Sequence, residues 1–272
     1  MNINKLATLQ NPDGGFGYFH GMGASWRDVT TEKALKRMYF LGLDPSRPLL
    51  RKTLDYLNKC LSGEAKIPDR VEKVINWELF SELMFSGWLA FFDCLTEKAR
   101  LIREKWREVI EAAVKEGKFN YHEYELAFQN VFGRKKARER ILNPASFYLV
   151  ALLKNHLSPE AAEAYCEYLL ETGVYYIYSK PLCPLPGELA DIRSFYLLEA
   201  VKLIAVYASD KRKFAYVWEW ITRGRHPDGN WYLGELKADG MIFPVSGSWR
   251  DRVNKTRDVT RYLNAVLRAL AI

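Results

Sequence analysis

The chain repeats itself near its two ends, and this limits the architectures open to it more than any other feature. Ser25-Trp-Arg-Asp28 recurs as Ser248-Trp-Arg-Asp251. Upstream, Pro12-Asp-Gly is echoed by Pro227-Asp-Gly; downstream, Asp28-Val-Thr-Thr is echoed by Asp258-Val-Thr-Arg. The three pairs lie 215, 223 and 230 positions apart, so the second copy has gained eight and then seven residues in its loop. A repeated supersecondary unit cannot bury its apolar face alone and must stack on its neighbours.

Between the copies the periodicity is helical. Segments 48–61, 98–116, 159–170 and 211–223 are charged on one side and apolar on the other. Segments 29–43, 72–95, 145–156, 190–207 and 257–270 are apolar or aromatic around more of their girth, which predicts burial on most faces. Only Val174–Ser179 reads as strand. The fold class expected is all-α: one domain over residues 1–272, about five helical hairpins, the apolar helices inside and the amphipathic ones outside. A third helix start, Asp191-Ile-Arg-Ser, resembles the two Asp-Val-Thr starts, and an Asp there can accept hydrogen bonds from the first helical turn.

Hydrophobic residues at 49% and aromatics at 14% are ample for a packed core or an aromatic-lined cavity. The net charge of +7 suits an anionic partner without requiring one. The densest basic stretch, Arg134-Lys-Lys-Ala-Arg-Glu-Arg140, contains a Glu and reads as a solvated helix face, so no nucleic acid is expected as partner. The four cysteines have no Cys-x-x-Cys spacing, the first residues lack a signal-peptide apolar core, and no apolar run reaches the ~18 residues of a membrane span. These features suggest a reduced, cytoplasmic protein.

Leu6-Ala-Thr-Leu-Gln-Asn-Pro-Asp-Gly-Gly-Phe-Gly17, followed by Asp28-Val-Thr-Thr and an Ala/Leu-rich helix, resembles the prenyltransferase/squalene-oxidase repeat. Asp191-Ile-Arg-Ser-Phe-Tyr is similar to an inner-helix start of protein prenyltransferase β subunits, and Asp228-Gly-Asn-Trp-Tyr to the aromatic turn of triterpene cyclases. The resemblance covers residues 5–43, 189–207 and 214–270 and is poor between 63 and 140. It implies an α/α toroid closed by its first and last repeats. The family's catalytic signatures are missing: there is no Asp-Asp pair anywhere, and the positions matching the zinc ligands of an Asp-x-Cys start read Asp191-Ile-Arg193, Asp28-Val-Thr30 and Asp258-Val-Thr260. Neither metal nor cofactor is therefore expected, and fold carries over where mechanism does not.

Several residues stand out as site candidates. Glu78 and Glu82, one helical turn apart on an aromatic helix, could act as general acid and base, with Asp191 as a third candidate catalytic group. Trp26, Arg27, Trp249 and Arg250 could form a rim where Arg binds phosphate or carboxylate and Trp covers an apolar ligand. Equally, they could pin the long loops. Asp28 and Asp258 are candidate helix caps at the same mouth, with Trp77, Trp88, Arg193 and Tyr196 as further lining. His20 and His226 adjoin the Asp-Gly turns and could reach that mouth.

Three functions stay open. The first is binding or conversion of an apolar or isoprenoid small molecule with an anionic head group, compatible with peripheral membrane contact. The second is a carbohydrate-active toroid using paired carboxylates. The third is a non-catalytic toroid that binds a peptide or protein.

Overall fold

A computed structural model describes residues 1–20, 29–133 and 139–271. Trp26, Arg27 and Asp28, and most of the basic stretch 134–140, lie outside the described residues.

The chain is all-α. Helix α1 (Ile3–Leu9) is followed by α2 (Thr31–Phe40), α3 (Pro48–Ser62), α4 (Trp77–Phe91) and α5 (Glu97–Ala112). A two-residue antiparallel ladder, β1 (Val114–Lys115) with β2 (Lys118–Phe119), leads to α6 (Tyr121–Phe132). Then come α7 (Phe147–Leu152), α8 (Pro159–Thr172), α9 (Ile192–Ala205), a 3-10 turn running into α10 (Ala215–Arg223), and α11 (Arg252–Ala269). Helix starts follow local chemistry: Thr30, Asn76, Asn120, Ser146, Ser158 and Asp191 each accept a backbone N–H of the first turn. Pro48 and Pro159 sit in first turns, where the missing N–H costs nothing.

Two expectations are corrected. Val174–Ser179 is not a strand but a tight turn with single bridges, Ser146 to Tyr175 and Val174 to Tyr178. The last helix begins at Arg252, not near 257, because Asp251 of the second tetrapeptide caps it by accepting from Val253 N at 2.8 Å. Asp258 therefore stands within the helix and caps nothing.

Burial separates two sets of helices. Helices α4, α7 and α9 are buried on most faces, whereas α3, α5 and α10 bury one stripe. Helix α11, expected to be apolar all round, buries only the face of Val259, Leu263 and Val266. Close packing of α4 on α7 depends on Gly87, where a Cβ would stand 2.6 Å from the Tyr148 carbonyl. Tyr207 OH donates to Val150 O, and Tyr262 OH to Phe195 O, fastening α7 to α9 and α9 to α11. Lys202 Nζ donates to Tyr39 OH at 2.8 Å and joins α9 to α2.

Chain segments near the two ends meet at Arg37. This fully buried guanidinium donates to the carbonyls of Met1, Met241, Ile242 and Pro244. The duplicated turns also prove alike bond for bond. Asp13 Oδ1 accepts from Gly15 N and Asp228 Oδ1 from Asn230 N, both at 2.9 Å. Asn11 N donates to Gly15 O and His226 N to Asn230 O; Gly14 N donates to Asn11 O and Gly229 N to His226 O. The following aromatic residue then donates its N–H to a helix threonine: Phe16 to Thr31 at 3.0 Å, Trp231 to Thr260 at 3.2 Å. Gly14 and Gly229 have φ of 103° and 87°, a region open to glycine and costly to other residues.

Candidate functional site

The starts of α2, α4 and α7 lie together, and a buried polar network occupies the space between them. His20 Nδ1 lies 3.0 Å from Glu32 Oε2 and 2.9 Å from Tyr148 OH. Tyr148 OH donates to Glu32 Oε1 at 2.9 Å, and Lys36 Nζ is 3.6 Å from the same oxygen. Asp69 accepts the backbone N–H groups of Phe19 and His20 and so fixes the imidazole's starting point. Phe80 and Tyr176 pack edge-on against the ring at 5.8 and 5.1 Å.

Electrostatics in this network are one-sided. Burial opposes the charge on Glu32, but Lys36, then His20 and the Tyr148 hydroxyl, outweigh it and bring the carboxyl down to about 2. Burial likewise opposes the imidazolium of His20, yet its bond to Glu32 wins and raises its pKa. Burial pushes the Tyr148 hydroxyl well up, so it stays a donor. A carboxylate on Nδ1 fixes the tautomer and leaves Nε2 as the exchanging nitrogen. His20 Nε2 bonds to no described residue.

Two spaces flank the network. Outside, a groove of about 500 Å³ runs over the starts of α4 and α7, lined by Ile75, Phe80, Leu83, Tyr121, Arg140 and Tyr168 among others. Tyr121 and Tyr175 are exposed there, and Arg140 has no carboxylate partner among the described residues. Inside, between α2, α4, α7 and α9, the aromatic pocket of Tyr39, Phe40, Trp88, Phe91, Phe147 and Tyr196 retains only about 40 Å³. That is room for a water molecule or two. Trp88 Nε1 is buried beside it without a hydrogen bond. Tyr176 lines both spaces and so separates them. Its φ of 75° is uncommon for a tyrosine, the kind of local strain that clusters at sites.

The structure brings some of the expected site residues here and leaves others apart. Trp77 opens α4 and packs on Phe80 at 5.6 Å, while Trp88 and Tyr196 line the inner pocket. Glu78 is exposed, and Glu82 lies 3.8 Å from Lys98 across a half-open surface, so the two do not form a buried acid–base pair. Asp191 is the cap of α9, and its oxygens are taken by the backbone and guanidinium of Arg193, itself largely exposed. Asp258 is buried and accepts from Val245 N, Ser246 N and Trp249 Nε1, which makes Trp249 a brace of its own loop. Arg250 is exposed and forms no ion pair with a described residue. Whether it faces Arg27 lies outside the described residues.

Glu32, Tyr148 and Tyr176 escape a sequence reading. Glu32 looks like an ordinary acidic residue in a first helical turn, and the two tyrosines look like core. The available signal was a carboxylate embedded in an apolar helix, which singles out Glu32 and Glu199 as readily as Glu78. Among the described residues no three His, Cys, Asp or Glu side chains gather as a metal site, and no helix is long and apolar enough to cross a membrane. No family model matches the chain, and neither curated proteins nor solved structures provide a significant match.

Proposed function

We propose that the chain is an α/α toroid of the terpenoid cyclase and prenyltransferase kind, binding an amphiphile with an anionic head in the groove over α4 and α7. The duplicated Asp-Gly turns with matching bonds, and Arg37 joining segments near both ends, support the toroid. The observation that carries the site is adjacency: Phe80 and Tyr176 line the groove and also touch His20. A ligand in the groove would lie one aromatic layer from the buried His20–Glu32–Tyr148 network. Arg140 supplies the charge for the head group, and Ile75, Phe80 and Leu83 the apolar wall.

Against the expected cavity at the centre of the ring, the outer groove offers more than ten times the space of the inner pocket. An isoprenoid would lie in the groove unless Tyr176 moves. A peptide is the second reading, favoured by the exposed rings of Tyr121 and Tyr175, since tyrosine makes large contacts at low entropic cost.

Titration with geranyl diphosphate, followed by intrinsic fluorescence, tests the first reading. Saturable binding that weakens about tenfold in Arg140→Ala is expected, as for loss of one charge-assisted contact. Absence of binding to geranyl diphosphate and to a straight-chain alkyl phosphate would sink it.

A further inference from the structure

At the far ends of α4 and α7 from this groove lies a second concavity, of about 380 Å³, whose lining sets four basic side chains among apolar ones. Arg100 and Arg103 face it from successive turns of α5, and Lys154 and His156 from the segment after α7. One carboxylate, Asp93, shares the lining, 3.8 Å from Lys154.

Arg103 is the group that needs explaining. Its side chain is only 12% exposed. Nη1 lies 2.5 Å from His156 Nε2, and because a guanidinium has no acceptor, the imidazole must offer a lone pair and be neutral. Burial and the neighbouring Arg103 both lower the His156 pKa, which agrees with that assignment. Glu104, at 3.7 Å from Nε, is beyond hydrogen-bonding distance, and Nε is buried with no partner. A permanent cation is thus largely withdrawn from water, with a neutral ring as its hydrogen-bond partner and the half-exposed Glu104 carboxylate at ion-pair distance, an arrangement that an anion in the pocket would complete.

The carbonyl ends of α4 and α7 give a simpler reason for cations here, but that attraction is small. It accounts for Lys154, exposed to 39%, better than for Arg103. The pairs of Arg100 with Glu97 and of Lys154 with Asp93 are open to solvent and cheap to exchange.

We propose that this pocket is a second ligand site, one that takes the phosphoryl group of a small phosphorylated molecule. Arg100, Arg103 and Lys154 are its donors, and His156 holds Arg103 in position. Donors arriving from different segments match a tetrahedral dianion better than a planar carboxylate, which one arginine can satisfy. The limited volume suits a small molecule rather than a polymer.

Calorimetric titration of the full chain with inorganic phosphate, pyrophosphate and acetate at low ionic strength tests this. One phosphate or pyrophosphate per chain is expected, bound more tightly than acetate. Affinity should fall about tenfold or more in Arg103→Gln and in Lys154→Gln, and stay unchanged in Arg250→Ala. Should Arg103→Gln fold poorly, the more exposed Arg100→Gln and Lys154→Gln carry the comparison. No phosphate binding by the wild type overturns the site, and so does equal weakening by Arg250→Ala. Acetate binding as tightly as phosphate overturns the phosphoryl assignment. Arg140 does not line this pocket, so failure of this site leaves the groove unaffected.

Discussion

The two Asp-Gly turns are built on the same bonds, yet the loops that follow them do different work. After the first, the chain carries His20 against Glu32 and Tyr148, where an ionisable ring is buried beside a carboxylate and a hydroxyl. After the second, carboxylates hold backbone: Asp239 accepts the N–H groups of Met241, Ile242 and Phe243, and Asp258 those of Val245 and Ser246. Asp69 ties down the described start of the first loop too, but there the chain also delivers a titrating side chain into the interior. The repeat specifies a frame, and insertion in the loop decides what is mounted on it.

Removing Arg37 should do the most damage to the second loop, because four carbonyls lose one charged donor. Arg37→Ala is expected to cost about 3 kcal/mol or more, seen as a Tm lower by about 6–12 °C. A loss under 1 kcal/mol would mean that the second loop holds without it.

Alanine at the matched glycines separates frame from surroundings. Both positions pay about 1–2 kcal/mol for left-handed backbone, but at Gly14 the new Cβ would stand 2.2 Å from Lys52 O, while at Gly229 its nearest neighbour is a flexible Arg225 tip at 3.4 Å. Urea denaturation should therefore rank Gly14→Ala well below Gly229→Ala. Equal losses would erase this difference between the copies.

The Glu32–His20 pair that receives the first loop should show an acid-labile contribution of about 3 kcal/mol. The Glu32 carboxyl is depressed from its ordinary 4.5 to about 2 by folding, so its stabilisation is full above about pH 4.5 and is lost as pH falls towards 2. His20, raised in the folded state, stabilises fully below its ordinary 6.5 and loses that contribution as pH rises through the raised value. In Glu32→Gln, the NMR titration of His20 should move down, and the stability loss between pH 4.5 and 2 should flatten. An unmoved His20 titration would break the assignment.

Arg250→Ala should be nearly silent, within about 0.5 kcal/mol, because its side chain is exposed and unpaired among the described residues. Trp249→Phe, which removes the donor to Asp258, should exceed it.

Much of the frame was legible because it is local chemistry: caps, Pro-Asp-Gly turns and apolar periodicity each act within a few residues. The site was not, because its members come from positions 20, 32, 148 and 176, and no spacing rule connects them. Glu78 and Glu82 looked suggestive for the opposite reason. They share a helix turn, and sequence shows that proximity while hiding that Glu78 faces solvent. The second Ser-Trp-Arg-Asp divides the same way. Its Asp251 caps and its Trp249 braces, which leaves Arg250 unspoken for.

The bonds from Arg37 to residues 241, 242 and 244 span 204, 205 and 207 positions. Helices of this size can form in microseconds, but this contact must wait until nearly everything between is ordered, because closing so long a loop is entropically costly until other contacts shorten it. A contact made after the folding barrier affects the rate of coming apart and not the rate of assembly. Slowly unfolding protein would then owe its lifetime to a residue that gave the folding chain no guidance at all. In stopped-flow measurements, Arg37→Ala should leave the refolding rate almost unchanged while unfolding accelerates by the full equilibrium loss.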